Sequence, residues 1–178
     1  YETLLLTEET GDEQLRSIID TGMVDGVALM DVTMNDPRIE LAQLSSIPLI
    51  SIGHPMNEIN VPCIDTDFIE MGEMIMQTLC RNGHSRILFA GGKEIDYERN
   101  GGANYLIRLR ASMHDAAARY KIHIDEEFTD EDDFDAAENL LERFISSENT
   151  AIVTQGGPLF LNNLVAATRQ RGMKIPQD

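Results

Sequence analysis

The sequence predicts an α/β fold in which parallel sheets are flanked by helices and the chain forms two lobes. Three observations carry this. Short apolar runs alternate with amphipathic stretches of helical period along the whole chain, the rhythm of strand–helix–strand units. Such units join parallel strands through right-handed crossovers. The rhythm breaks after Asp65, where an extended piece ends between two aspartates and a helix begins. Residues 1–65 and 66–178 are therefore expected to be separate lobes.

Taken in order, residues 1–6 read as a strand and 12–19 as a helix with Leu15, Ile18 and Ile19 on one face. A strand is expected over 25–30. Asp36 and Pro37 open a short helix, because proline is tolerated in a first helical turn, and Ile39, Leu41 and Leu44 supply its apolar side. Strands follow at 47–52 and 62–65. In the second half a helix is expected over 69–80, ended by Gly83, then a buried strand over 86–90. A polar loop covers 91–104. A long helix spans 105–120, with Leu106, Leu109, Met113, Ala116, Ala117 and Tyr120 inward. Residues 123–125 read as an edge strand and 125–133 as an acidic loop. A helix over 134–146, a strand over 150–154 and a helix over 159–171 complete the pattern.

Composition narrows the function. A hydrophobic fraction of 42% allows an ordinary core. Thirty-one acidic residues against 14 basic ones leave a net charge of −17. Such a surface repels phosphates, so these residues are not expected to grip DNA themselves. Membrane spans need about 20 apolar residues in a row, and none is present. Cys63 and Cys80 lie in apolar contexts without close spacing. Buried thiols are expected rather than a disulfide, which suits a reducing, cytoplasmic setting.

Five motifs occur in order: the strand-like Tyr1-Glu2-Thr3-Leu4-Leu5-Leu6, then Val24-Asp25-Gly26-Val27-Ala28-Leu29, Ile47-Pro48-Leu49-Ile50, the turn Gly83-His84-Ser85-Arg86-Ile87, and Gly172-Met173-Lys174-Ile175-Pro176-Gln177-Asp178, with two aspartates at 65 and 67 leading into a helix between the third and fourth. Together they resemble the effector-binding region of the lac-repressor/galactose-repressor family of transcriptional regulators. The resemblance covers essentially the whole chain. It implies a two-lobed periplasmic-binding-protein-like (type I) fold, incomplete at both ends. It also implies a small-molecule effector, most often a sugar or sugar derivative, held between the lobes of a homodimer. Operator DNA would be read by a helix-turn-helix upstream of Tyr1. A solute-binding protein of a transport system shares the architecture and is the alternative.

In open α/β sheets ligands bind beyond the carboxyl ends of the strands, so strand-end residues are the effector-binding candidates. Asp65 and Asp67 lie at the lobe crossover. Asp67 matches a position where the family places a cleft-facing group, and an N-cap or hinge hydrogen bond is the other reading. In Tyr97-Glu98-Arg99-Asn100, Arg99 resembles a cleft arginine of purine-type repressors, suited to paired bonds with a carboxylate, phosphate or ring carbonyl. The other reading is a solvated loop. Arg108 and Arg110 flank Leu109, the position that matches a family arginine, and a surface arginine pair is equally compatible. Phe128 falls where the family often carries an aromatic over the ligand ring, or else anchors its loop. Gln155, Gly156 and Gly157 stand where the family usually has an Asn-Asp pair that binds the effector, a departure that points to an unusual ligand or to none. His54, after Gly53, closes the strand over 47–52 and faces either cleft or solvent.

No catalytic machine is legible. The acidic run Asp125 to Asp135 lacks the glycine and terminal glutamate of a calcium loop. The four histidines have no metal-ligand spacing, and Gly91-Gly92-Lys93 lacks the rest of a phosphate loop. No cofactor is expected. An α/β enzyme acting on phosphates or nucleotides would need one of these features.

Overall fold

A computed structural model describes residues 2–6, 11–55, 60–98 and 102–177. The chain divides into two compact units, Tyr1–Thr66 with Arg99–Tyr105, and Asp67–Glu98 with Leu106–Asp178.

The first unit is built on a parallel three-stranded sheet. Its strands β1 (Val27–Leu29), β2 (Leu49–Ile52) and β3 (Cys63–Ile64) lie in that order, with Val27 opposite Leu49 and Ser51 opposite Cys63. Helix α2 (Pro37–Leu44) is the crossover between β1 and β2, and α1 (Gly11–Thr21), which precedes β1, packs beside it. Leu15, Leu29, Val32, Ile39, Ala42 and Val61 form the core. Helix α2 starts where it does because the Asp36 carboxylate accepts the Arg38 N–H at 3.0 Å while Pro37 presets the first helical φ. The same carboxylate, only 7% exposed, receives Arg38 Nη2 at 2.6 Å. Arg38 Nη2 also donates to the carbonyls of Met30 and Asp31, each at 3.1 Å. Burial pushes the Asp36 carboxyl up, but its bonds from Arg38 outweigh this and hold it below the usual range.

Residues 2–6, expected as a strand, are not one. Leu4 and Leu5 are 56% and 75% exposed and the segment joins no ladder among the described residues. Apolar content alone does not make a strand; a strand needs a neighbour to pair with.

In the second unit the sheet order is β5-β4-β6, again parallel, with strands β4 (Arg86–Gly91), β5 (His123–Phe128) and β6 (Ile152–Thr154). Central strand β4 is buried on both faces, as parallel strands are. Leu88 and Ala90 pack on helices α5 (Phe134–Ile145) and α6 (Pro158–Gln170) through Ala137, Leu140, Leu141, Phe160 and Leu164. By the alternation of a strand, Ile87 and Phe89 point to the opposite face. Helices α3 (Phe68–Arg81) and α4 (Asn104–Tyr120) approach closely, with Ser112 Oγ donating to the Ile69 carbonyl at 3.0 Å. Leu106, Met113, Ala116 and Ala117 of α4 are buried as expected, whereas Leu109 and Tyr120 are only half-buried. Gly83 ends the turn after α3 at φ +85°, a conformation cheap only for glycine.

Two expectations need correction. Asp125, Glu126 and Glu127 belong to β5 rather than to a loop. Each carboxylate meets a cation: Asp125 meets Arg86 at 3.1 Å, Glu126 meets Arg110 at 2.5 Å, and Glu127 pairs with Arg143. Paired in this way, acidic residues occupy an edge strand that local propensity disfavours. The cysteines are free, as expected, but Cys80 is exposed and Cys63 only half-buried. Burial, then the nearby Asp65 charge, raises the Cys63 thiol.

Gly72 faces Ser112 of α4 closely. A Cβ there would lie 2.1 Å from Ser112 Oγ and 2.8 Å from the Ser112 carbonyl carbon. Gly72→Ala should therefore destabilise the protein by about 1–3 kcal/mol, as overpacking does, despite the better helix propensity of alanine. Urea denaturation monitored by circular dichroism checks this; an unchanged or higher midpoint would contradict it.

Candidate functional site

All strands of the second sheet end on one side, at Gly91, Phe128 and Thr154. There a 3-10 turn, Glu94–Tyr97, folds Tyr97 back over the end of β4 and buries it to 6% exposure. Phe89, Tyr97 and Phe128 pack edge to face, with Tyr97 and Phe128 centroids 5.1 Å apart, a favoured aromatic geometry. Gly91 permits this packing, since a Cβ would come 2.6 Å from the Phe128 ring and 3.1 Å from Tyr97 Oη. The Arg110 guanidinium of α4 lies 5.4 Å from the Phe128 centroid and 5.9 Å from that of Tyr97, within cation–π range.

Arg110 is not a free cation. Its Nε and Nη2 donate to Glu126 Oε1 and Oε2 at 2.6 and 2.5 Å, a two-pronged pair. His114 Nε2 is in hydrogen-bond contact with the same carboxylate at 2.8 Å. The bonds from Arg110 hold Glu126 below the usual carboxylate range against a smaller opposing effect of burial, with His114 adding to the lowering. Arg110 is raised in turn, first by Glu126. A guanidinium paired with a carboxylate and lying over two rings carries little net charge into the surface.

At the adjacent strand end, Gln155 N–H donates to the Ala90 carbonyl at 3.0 Å. Its Oε1 is buried and has no hydrogen-bond partner among the described residues, an arrangement that costs free energy unless a ligand or water offsets it. Gly156 donates to Thr154 Oγ1 at 2.9 Å, and a Cβ there would meet the Phe160 ring at 2.6 Å. Gly157 N-caps α6 with no side-chain bond.

The expected residues fall into groups. Tyr97, Phe128 and Arg110 come together in the second unit, with Gln155 at the neighbouring strand end. His54 and Asp65 come together in the first: the His54 N–H donates to Asp65 Oδ2 at 2.8 Å, and the Thr66 N–H to Oδ1 at 2.8 Å. The His54 ring contacts the Pro55 carbonyl at 2.6 Å. Asp67 N-caps α3 by accepting the Glu70 N–H at 2.9 Å. Arg108 sits half-buried on α4. Arg99 and Asn100 lie outside the described residues. Sequence reasoning missed Glu126 and His114. No local pattern reveals them, because Arg110 is 16 residues from its partner. It also missed Asn104, which is 2% exposed and donates to Asp65 Oδ2 at 3.4 Å. An Asn directly before an apolar-periodic run is the helix-start signal that could have found it. Among the described residues no group of three or more His, Cys, Asp or Glu could hold a metal ion, and no helix is long and apolar enough to cross a membrane.

Comparison with known proteins shows what the chain as a whole is similar to. The family model described as periplasmic binding proteins and sugar binding domain of LacI family matches residues 1–178. The HTH-type transcriptional regulator AglR of Rhizobium meliloti is 28% identical over 184 residues, covering 96% of this chain and 47% of that protein. The crystal structure of a LacI family transcriptional regulator from Bifidobacterium animalis subsp. lactis superposes with a TM-score of 0.80 at 19% identity, over 97% of this chain and 62% of that one. The Cra transcriptional dual regulator from Pseudomonas putida, solved in complex with fructose 1-phosphate, does so with a TM-score of 0.64 at 12% identity, over 92% and 59%. The chain spans less than half the length of the curated relatives it matches.

Glu126→Gln should cost about 1 kcal/mol at neutral pH, a charged hydrogen bond discounted for the partial exposure of Arg110. Glu126 is lowered in the folded state. Its contribution is therefore fully present above the unfolded glutamate value of about 4.3 and disappears as pH falls through the lower folded value. Denaturation of parent and variant should converge in that acidic window; a gap that persists below it would contradict the pairing.

Proposed function

The chain belongs to the family that joins periplasmic binding proteins with the sugar-binding domains of LacI-type regulators, and on that footing we propose that it is the effector-sensing core of a LacI-type transcriptional regulator. The two compact units are its amino- and carboxyl-terminal lobes, and a sugar-like effector is recognised at the carboxyl ends of their strands. The observation that carries this reading is the second unit's strand-end surface. The half-buried Phe128 ring, backed by the buried Tyr97, and a charge-neutralised guanidinium offer an apolar, weakly charged face, and a buried amide oxygen waits for a donor. Aromatic faces suit the C–H faces of a sugar ring, and an amide oxygen suits a hydroxyl.

In this reading an uncharged sugar is a better fit than a phosphorylated one, because Glu126 already satisfies Arg110. The sugar phosphate of the Pseudomonas putida relative is the comparison case. Asp67 and Asp65 act through the N-cap and the strand-end loops, Phe128 and Tyr97 through their rings, and Gln155 through its amide. Arg99, Asn100, Arg108 and His54 remain candidates for the rest of the effector. Operator DNA is contacted by another segment of a longer polypeptide, since a net charge of −17 repels it. A homodimer in the cytoplasm, with no catalytic activity, completes the proposal. The effector shifts operator affinity only by its difference in affinity for the two states of the sensor. Regulator relatives favour this over a transport receptor of the same fold.

Isothermal titration calorimetry against uncharged mono- and disaccharides and their phosphates tests the proposal. At least one uncharged sugar should bind, and Gln155→Ala should weaken it about tenfold, the loss of roughly one hydrogen bond, while leaving the thermal midpoint nearly unchanged. No binding by any sugar, or an unaffected Gln155→Ala variant, would remove the sugar assignment or the residue from it respectively.

A further inference from the structure

The turn that joins α3 to β4 is made by Asn82, Gly83 and His84, none of which belongs to the proposed effector surface. Helix α3 ends there in a Schellman arrangement. The Gly83 N–H donates to the Cys80 carbonyl and the His84 N–H to the Leu79 carbonyl, each at 3.0 Å. Asn82 adds a side-chain bond. Its Nδ2 donates to the Thr78 carbonyl at 2.8 Å, which also accepts the Asn82 N–H at 3.2 Å. Asn82 and Gly83 are both exposed.

Asparagine is thermolabile, and most so before glycine, which has no side chain to hinder attack by its own backbone nitrogen. In the reaction the Gly83 N–H proton passes to solvent base, and a new bond joins Gly83 N to Asn82 Cγ. The Cγ–Nδ2 bond breaks, and Nδ2 leaves as ammonia after taking a proton from water. Water then opens the cyclic imide at either carbonyl. One product is aspartate in the ordinary chain. The other is isoaspartate, with the backbone rerouted through Cγ. Water is the co-reactant, and nothing is oxidised or reduced.

In the closed turn both reacting groups are engaged: the nucleophile's N–H with Cys80 and the leaving amide with Thr78. Opening of the last helical turn frees both at once. Exposed hydrogen bonds at a helix end open far more readily than those of a core. We propose that Asn82 is a deamidation site gated by the C-cap of α3, and that its product does not re-form that cap. A carboxylate has no donor for the Thr78 carbonyl. It also sits at the negative end of the helix dipole, in a chain of net charge −17. Isoaspartate further lengthens the backbone just before β4, where His84 Nδ1 contacts Thr150 Oγ1 at 2.9 Å. Conversion thus loosens the entry to the strand that is buried on both faces.

Peptide mapping by mass spectrometry tests this on the whole chain, held in mildly alkaline buffer without ligand. Trypsin cuts after Arg81, Arg86 and Arg99, so residues 82–86 separate from the second Asn-Gly pair, Asn100-Gly101. Isotope-labelled water in the digestion marks any conversion made during that step. Aspartate and isoaspartate should appear at Asn82 in the folded protein, and about tenfold faster in urea, where the cap is open. Asn82→Asp should lower the urea midpoint. Asn82→Gln, whose larger ring closes far more slowly, should stay unconverted in the folded protein. Absence of conversion at Asn82 in urea would overturn the site, and conversion confined to urea would overturn its opening in the folded protein. Equal rates in folded and unfolded protein would overturn the gating. An Asn82→Asp midpoint equal to the parent's would overturn the loss of the cap. The readout needs no ligand, so a failed sugar assignment leaves it standing.

Discussion

Strand β4 sets the terms for the second unit. A parallel strand cannot be joined to its neighbours by hairpins, so it must be covered on both faces by crossover helices. Leu88 and Ala90 meet α5 and α6, while Ile87 and Phe89 fill the other face. With every strand parallel, all chain directions agree and the strand ends gather on one side. That is why Phe128, Gln155 and the Tyr97 turn, dispersed in sequence, belong to one surface. The surface is a consequence of how a parallel sheet closes.

The edge strand β5 carries the second constraint. Three consecutive carboxylates would repel one another in a loop or a strand. Arg86, Arg110 and Arg143, from β4, α4 and α5, each take one. The pairing commits Arg110 to Glu126 on the strand that ends at Phe128. A structural need on one strand therefore decides the electrostatics of the proposed effector surface. An arginine that family resemblance offers as a ligand contact is committed to holding a strand in place. Its stem and plane remain as packing for Phe128 and Tyr97, in keeping with the stacking habit of guanidinium groups.

Much of the fold was legible in the sequence, for reasons that are local. Helix α3 announces itself by Asp67 at its N-cap, an apolar stripe through Met76, and Gly83 beyond its end. Helix α2 does so through Asp36 and Pro37. Strand β4 is a short apolar run between a turn and two glycines. What was not legible depends on distant partners. The acids of β5 look like a loop until Arg110, 16 residues away, and Arg86, 39 residues away, are placed beside them. Leu4 to Leu6 look like a strand because apolar content is local, whereas a ladder partner is not. In the sequence, Phe128 and Tyr97 stand out as candidates through resemblance and position. Glu126, His114 and Asn104 emerge only from tertiary packing.

The central claim is that recognition occurs at the carboxyl ends of the strands. Amide chemical-shift mapping tests it most directly, with the sugar panel titrated into isotopically labelled protein. The account predicts shifts clustered at Gly91, Tyr97, Phe128, Gln155 and Gly156. Shifts confined to the opposite rim, at Arg86, His123 and Thr150, would contradict it.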